Sequence, residues 1–166
     1  MQAMAREAGV TKPILYREFG HRDGLLAALG EQFAQRLMTE LAQALEQGAN
    51  SEPRAVLART IDAFVALIER DHNLYRFLTE RLIGAPNQPL VGLVEEISRF
   101  ISLELGQRLR AAGADSGAAE PWAYGLVGMV HLAGDWWVQR RTMPREQLVE
   151  YLVSLTWEGM RGTTEP

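Results

Sequence analysis

The feature that most constrains this fold is a turn between two helical segments near the start of the sequence. Residues 3–8 are rich in alanine and other good helix formers. Gly9 follows where a helix ends in the left-handed conformation that suits glycine. Thr11 is a favourable N-cap, and Pro13 lies in the next first turn, where its missing N–H costs nothing. Helix, glycine turn and capped second helix together predict a helix-turn-helix.

Several side chains around this turn match a known signature. The matching positions are Ala8-Gly9-Val10, Leu15-Tyr16, Phe19, Arg22-Asp23 and Leu25-Leu26. In this pattern the segment resembles the DNA-binding signature of TetR-type transcriptional regulators. The resemblance covers the first fifth of the chain closely and the remainder by architecture. It implies that the second helix and the start of the third contact a DNA operator, through Thr11, Lys12, Pro13, Ile14, Tyr16 and Arg22.

The chemistry of these side chains suits such contacts. Lys12 can reach guanine acceptors or phosphate, and Ile14 can meet a thymine methyl group. Tyr16 can donate to phosphate, and Arg22 at a helix N-terminus suits a backbone phosphate. The alternative is an ordinary solvated helix face.

The sequence departs from the signature in two ways. His21 stands where the family usually has Ser or Asn as a cap, and histidine is expected to cap less well. In addition, Met1 already lies inside what should be the second helix, so the family's first helix is expected to be absent. The DNA-binding head, residues 1–29, would then expose an apolar surface on its side away from the DNA, here called its apolar rear. The 166-residue chain is therefore expected to bind DNA poorly. That rear consists of Met4, Ala8, Val10, Leu15, Phe19 and Leu26.

Composition limits the possible protein classes. With 166 residues, 47% of them hydrophobic, the chain can form a small head on a larger body. The absence of cysteine excludes disulfides and thiolate sites. No secretion signal or membrane-spanning apolar run is evident, so a cytoplasmic location is expected. Residues 1–29 carry a net charge of about +1 within a chain of −4, which favours approach to DNA by the head.

Apolar periodicity predicts helices along the whole chain and no strands. The predicted segments after the helix-turn-helix are 22–47, 53–70, 73–83, 90–111, 121–139 and 144–160. Ser51 is expected to cap the helix that starts at Pro53. The predicted fold is therefore all-α, with a helix-turn-helix head at 1–29 and a ligand-binding and dimerisation body at 30–166.

The last two helices are apolar on more than one side. Residues 121–139 are apolar or small at nearly every position, and a helix that is apolar all round must be buried all round. This surplus predicts a homodimer built as a two-fold four-helix bundle. The expected interface residues are Gly128, Leu148, Leu152 and Leu155.

The resemblance also implies a ligand cavity among the middle helices. The candidate lining residues are Phe64, Leu78, Ile97, Phe100, Met129, His131 and Trp136. Each has ordinary core packing as its alternative. His131 is more often a hydrogen-bonded core residue than a ligand contact. Asp135 is either the partner of an arginine or a polar anchor in the pocket.

The sequence thus predicts a ligand-responsive, dimeric repressor. It would bind a pseudo-palindromic double-stranded DNA operator and be released by a small, mostly apolar effector. No cofactor and no metal are expected, because His21, His72 and His131 lack metal-ligand spacing. No nucleophile motif suggests an enzyme. The alternative is a helical small-molecule-binding or interaction module without DNA-binding activity, and activation instead of repression stays open.

Overall fold

A computed structural model describes residues 9, 11–49, 51–82 and 89–161, and within them the chain forms seven α-helices and no strand. The helices are α1 (Lys12–Phe19), α2 (Arg22–Gln47), α3 (Pro53–Arg70), α4 (His72–Leu82), α5 (Pro89–Ala111), α6 (Ala119–Arg140) and α7 (Arg145–Arg161). A short 3-10 helix, Ser116–Ala118, precedes α6. The predicted all-α class is confirmed. The predicted helix at 3–8 lies outside the described residues.

Prolines and glycines place most helix ends where the sequence predicted them, but two predicted caps differ. Thr11 occupies the N-cap position of α1 without a side-chain capping bond. The prediction for Ser51 is wrong, because Glu52 holds the N-cap position of α3. The Ser51 hydroxyl instead accepts a hydrogen bond of 2.9 Å from Arg59. Arg59 also donates to the Gln47 carbonyl, at 3.1 Å, and so ties the α2–α3 connection together.

The core lies where α3 packs against α2 and α7, and α6 packs along α5. Its largest fully buried side chains are Trp137, Tyr75, Phe33, Leu37, Leu67 and Ile68. Helices α3 and α6 approach closely at Gly134. A Cβ there would lie 2.8 Å from Cδ1 of Ile68 and 2.9 Å from Cε1 of Phe64. Glycine therefore sets the distance between these two helices.

The turn between α6 and α7 is fixed to α3 by charge. Arg141 ends α6 with a φ of +49° and donates its N–H to the Trp137 carbonyl at 2.8 Å. Its guanidinium lies 4.3 Å from the Trp137 ring centroid and 2.8 Å from the Glu69 carboxylate. Arg145 reaches Glu69 at 3.3 Å and Asp62 at 3.0 Å. Arg141 of the turn and Arg145, the first residue of α7, are thus held by carboxylates of α3.

Two of the predicted interface residues face the interior of the protomer. Leu148 is 4% exposed and Leu152 is 7% exposed, and both belong to the main core. They therefore cannot form the centre of an interface between copies. Gly128 is half-exposed, and Leu155 is 66% exposed. The large apolar side chains that α6 and α7 expose are Tyr124, Leu132, Trp136, Tyr151 and Leu155.

The predicted boundary between head and body falls between residues 29 and 30, which is inside α2. This helix is continuous over 26 residues. The division of the chain at that point stays a prediction. Among the helices in the described ranges, none is long and apolar enough to cross a membrane.

Candidate functional site

The corner between α1 and α2 is built on glycine and histidine. A Cβ on Gly24 would lie 2.1 Å from the Phe19 carbonyl oxygen, so only glycine allows the two helices to meet this closely. His21 occupies the N-cap position of α2, and its Nδ1 accepts a hydrogen bond from the Gly24 N–H at 3.2 Å. His21 therefore caps α2 with a side-chain hydrogen bond, although the sequence predicted that histidine would cap less well than Ser or Asn.

The predicted DNA-contact residues lie on or before α1. Thr11, Pro13, Ile14 and Tyr16 are all exposed. The Thr11 carbonyl accepts from the Ile14 N–H at 3.0 Å, which closes the first turn of the helix. The side chains of Lys12 and Arg22, the two predicted cationic contacts, lie outside what the structure describes. A role of these six residues in DNA binding stays a prediction.

The body contains an apolar cavity bounded by α2, α3, α4, α5 and α6. Its volume is about 70 Å³, several times the ~10–15 Å³ that one water molecule needs on the same scale. It is lined by Phe33, Leu37, Leu41, Leu57, Thr60, Ile61, Phe64, Tyr75, Leu93, Val94, Ile97, Ile101, Leu126, Val127, Val130 and His131. Among these described lining residues, none carries a carboxylate, an ammonium or a guanidinium group.

One wall of the cavity carries a hydrogen-bonded polar pair. The Tyr75 hydroxyl lies 3.1 Å from Nδ1 of His131. The Tyr75 ring stands edge-on to His131 and to Phe64, with centroid distances of 6.2 Å and 6.3 Å. Phe33 of α2 packs on the same ring at 6.0 Å. The pair is therefore set in an aromatic cluster that joins α2, α3, α4 and α6.

Burial determines the protonation of this pair. It raises the pKa of the Tyr75 phenol well above its usual range, and the negative charge of Asp135 adds to the rise. Burial also lowers the pKa of the His131 imidazole, although Asp135 opposes that change. At neutral pH the pair is therefore an uncharged phenol beside an uncharged imidazole.

The cavity includes some of the predicted ligand-binding residues and not others. Phe64, Ile97 and His131 lie on its wall. Leu78, Phe100, Met129 and Trp136 do not line it. Leu78 is buried in the core, Phe100 and Met129 pack against that core, and Trp136 is 40% exposed on α6.

The sequence reasoning missed the contribution of α2 to the wall. Phe33, Leu37 and Leu41 follow one another at spacings of four and are almost fully buried against the cavity. This apolar stripe was visible in the sequence and could have identified them. Tyr75, the partner of His131, could not be located this way, because the pair is 56 residues apart in the chain.

Asp135 lies one turn beyond His131 and is not paired with an arginine in the described structure. One of its oxygens accepts from the Gln139 amide at 3.0 Å. Its Oδ1 is buried and has no hydrogen-bond partner among the described residues. Among all the residues that the structure describes, no group of three or more His, Cys, Asp or Glu side chains could hold a metal ion.

The geometry defines an all-helical protein with a helix-turn-helix corner joined by one long helix to a body that encloses an apolar cavity. Two family models match this chain. Residues 1–29 match "Bacterial regulatory proteins, tetR family", and residues 40–165 match "Tetracyclin repressor-like, C-terminal domain". The chain belongs to the TetR family of transcriptional regulators, which are DNA-binding proteins and not enzymes.

Similar proteins support the same assignment. Uncharacterised HTH-type transcriptional regulators from two strains of Mycobacterium tuberculosis are 30% identical over 99% of this chain and 70% of their own length. The HTH-type transcriptional activator FasR of Mycolicibacterium smegmatis is 26% identical over 96% of this chain and 73% of its own. A solved structure from Rhodococcus sp. RHA1, of unknown function, shares the fold with a TM-score of 0.64. Its sequence identity is 22%, and the match covers 95% of this chain and 82% of that one.

Proposed function

We propose that this regulator is a cytoplasmic, ligand-responsive repressor that binds a pseudo-palindromic operator as a homodimer. A small, mostly apolar effector would occupy the cavity and release the DNA. The observation that carries this proposal is the double role of α2. The helix is capped at His21 beside α1, and three turns further on Phe33 begins its contribution to the cavity wall.

The shared helix gives a physical route between the two sites. Phe33, Leu37 and Leu41 line the cavity, so their positions would depend on what fills it, and the α1 corner is attached to the same helix. An effector with greater affinity for one position of α2 would favour that position by its differential affinity alone. DNA that prefers the other position would then be released, and DNA would weaken effector binding to the same extent.

The exposed residues of α1 support the DNA-facing side of the proposal. Ile14 and Tyr16 are exposed near the N-terminal half of this helix, the part that enters the major groove in helix-turn-helix proteins. Lys12 is proposed to contact base edges and Arg22 the phosphate backbone, by the resemblance described above. Thr11 and Pro13 would complete the contact at the start of α1.

Exposed apolar rows on the last two helices support a homodimer. On α6, Tyr124, Leu132 and Trp136 share a spacing of four or eight residues, with half-exposed Gly128 between them. An added Cβ on Gly128 would meet nothing within 4 Å, so another helix could approach closely there. On α7, Tyr151 and Leu155 are exposed one turn apart. A two-fold dimer that pairs these rows would remove them from water.

DNA binding by this chain can be tested with duplexes from upstream of its own gene, in competition with random DNA at several salt concentrations. Lys12→Ala should reduce the preference for operator over random sequence. Arg22→Ala should weaken binding to operator and to random DNA alike. It should also lower the slope of the logarithm of the binding constant against the logarithm of the salt concentration by about one unit. Ile14→Ala should weaken operator binding, whereas the control Leu103→Ala, on exposed α5 surface, should not.

If neither this chain nor a form extended at its N-terminus by about 20 residues, enough for one helix and a turn, preferred any such duplex, the operator proposal would be contradicted and a binding module without DNA activity favoured. Measuring transcription from the bound promoter with and without the protein distinguishes repression from activation. An increase of transcription by the protein would overturn the repressor assignment, and one relative is named an activator.

A further inference from the structure

The polar pair in the cavity wall restricts which ligand can bind there. Tyr75 is 1% exposed, and Phe33 and Phe64 pack on its ring. Its hydroxyl has one hydrogen, and His131 Nδ1 is the partner recorded for it in the described structure. If the hydroxyl only accepted from Nδ1, its own hydrogen would be left buried without an acceptor.

The direction of this hydrogen bond fixes the histidine tautomer. Tyr75 retains its proton because burial raises the pKa of its phenol, and Nδ1 of His131 is the acceptor that the described structure offers for that proton, so the phenol is assigned as the donor. A neutral imidazole that accepts at Nδ1 carries its own proton at Nε2. Within the described part of the chain, no acceptor is recorded for that Nε2 proton. The histidine thus brings one unused hydrogen-bond donor to a cavity whose other polar side chains, Thr60 and Tyr75, already donate their hydroxyl hydrogens to the Val56 carbonyl and to His131.

The charge around the cavity disfavours an anionic ligand. The described lining residues include no lysine or arginine that could pair with a carboxylate or phosphate. The charge that acts on both Tyr75 and His131 is negative, since it is that of Asp135. His131 does not supply a positive charge at neutral pH, because burial lowers the pKa of its imidazole. An unpaired anion in such surroundings would lose its hydration without compensation.

We propose that the cavity selects an uncharged, mostly apolar small molecule that carries one hydrogen-bond acceptor, such as a carbonyl oxygen, bound to the Nε2 proton of His131. This inference rests on the proposed function of the cavity as an effector site. It adds the chemical class of the ligand and names the residue pair that recognises it. Tyr75 acts as a positioning residue, since it holds the histidine in the donating tautomer.

The test uses four aromatic probes of similar size and calorimetric titration of the whole 166-residue chain at pH 7.5. Acetophenone offers a neutral acceptor, ethylbenzene offers none, and benzoate and 1-phenylethylammonium carry opposite charges. Acetophenone should bind more tightly than ethylbenzene by about 2- to 10-fold, as one hydrogen bond provides. Benzoate should bind at least about tenfold more weakly than acetophenone, because its charge is buried without a partner.

Variants separate hydrogen bonding from shape. His131→Leu should abolish the advantage of acetophenone over ethylbenzene, and His131→Gln, which retains an N–H donor, should restore part of it. Tyr75→Phe keeps the ring but frees Nδ1, so the advantage should shrink. If His131→Leu does not fold, the glutamine and Tyr75→Phe variants carry the test. If every variant weakened the binding of acetophenone and of ethylbenzene by the same factor, the proposed role of Tyr75 and His131 in ligand recognition would be overturned.

The outcomes also separate this inference from the proposed function. Tighter binding of benzoate or of 1-phenylethylammonium than of acetophenone would overturn the uncharged ligand class and leave an effector site in place. If none of the four probes binds, both the inference and the effector role of this cavity are contradicted.

Discussion

Gly134 of α6 packs against Phe64 of α3 so closely that an added Cβ would lie 2.9 Å from Cε1 of the ring. We expect Gly134→Ala to lower the free energy of unfolding by about 1–3 kcal/mol, the usual range for overpacking a core. The ring would have to move, and Phe64 also lines the cavity. The same variant should therefore weaken binding of small apolar probes. Urea unfolding and calorimetry measure the two effects.

Gly92→Ala is the matched control for this substitution. Gly92 is exposed on α5, and a Cβ there would meet nothing within 4 Å. Alanine has a higher helix propensity than glycine, so this change should be neutral or stabilise by up to about 1 kcal/mol. Equal destabilisation by both variants would show that the contact between α3 and α6 is not the cause.

The exposed row on α6 predicts where a charge would disrupt the proposed homodimer. Leu132 is 68% exposed in the protomer, and Leu132→Glu should give folded monomers, because a glutamate in an apolar interface leaves an unpaired charge. Leu103→Glu, at 63% exposure on α5, should leave the dimer intact. Leu152→Glu should instead unfold the protomer, since that leucine is buried in its own core. Sedimentation with circular dichroism distinguishes the three results, and a dimeric Leu132→Glu variant would place the interface elsewhere.

The stability of the fold should decrease as the pH falls below neutrality. Burial lowers the folded-state pKa of His131, although the negative charge of Asp135 opposes this change. The Tyr75 hydroxyl, which is uncharged, is hydrogen-bonded to the same imidazole. The unfolded chain therefore binds more protons than the native state once the pH reaches the unfolded pKa of about 6.5. The contribution of His131 is complete above that pH and is lost as the pH falls toward the lower folded-state value. Urea unfolding at pH 7.5 and pH 5.5 should show a smaller difference in His131→Gln than in the wild type.

The ion pairs between α3 and the α6–α7 turn should contribute more than an isolated surface pair. Glu69 meets both Arg141 and Arg145, whereas Glu95 meets Arg99 one turn away on the exposed face of α5. We expect Glu69→Gln to cost about 0.5–1 kcal/mol and Glu95→Gln about 0.3–0.5 kcal/mol or less. In 1 M NaCl the difference should shrink, because salt screens partly exposed charges. Equal effects at low salt would show that the shared carboxylate adds nothing.

The sequence predicted the order and extent of the helices closely, because the signals that end helices are local. Pro53 and Asp71 delimit α3 as expected, and α2 begins at Arg22 and ends at Gln47 as expected. His21 was the instructive exception in the head. Its residue type indicated a weak cap, but its ring nitrogen reaches the Gly24 N–H once the α1 corner is formed.

What the sequence could not provide was the rotation of each helix about its own axis. Helix α7 is apolar on more than one side, so periodicity alone could not separate Leu152, in the core, from Leu155, on the surface. The same ambiguity affected the cavity, where Phe64 and Ile97 face the space while Met129 packs beside it. Such orientations depend on contacts between segments far apart in the chain.

The uninterrupted length of α2 has a geometric consequence for operator recognition. From Leu37 back to Arg22 the helix axis runs about 22 Å, at 1.5 Å per residue. A tilt of only about 5° at the cavity would then displace the first residue of α2 by about 2 Å, within the range of known interface helix shifts. In the proposed two-fold dimer, opposite displacements would change the separation of the two heads by up to about 4 Å, against the ~34–36 Å between successive major grooves. In the proposed mechanism, the continuous α2 would thus convert a small repacking around a bound molecule into a change in the separation of the two DNA-binding heads.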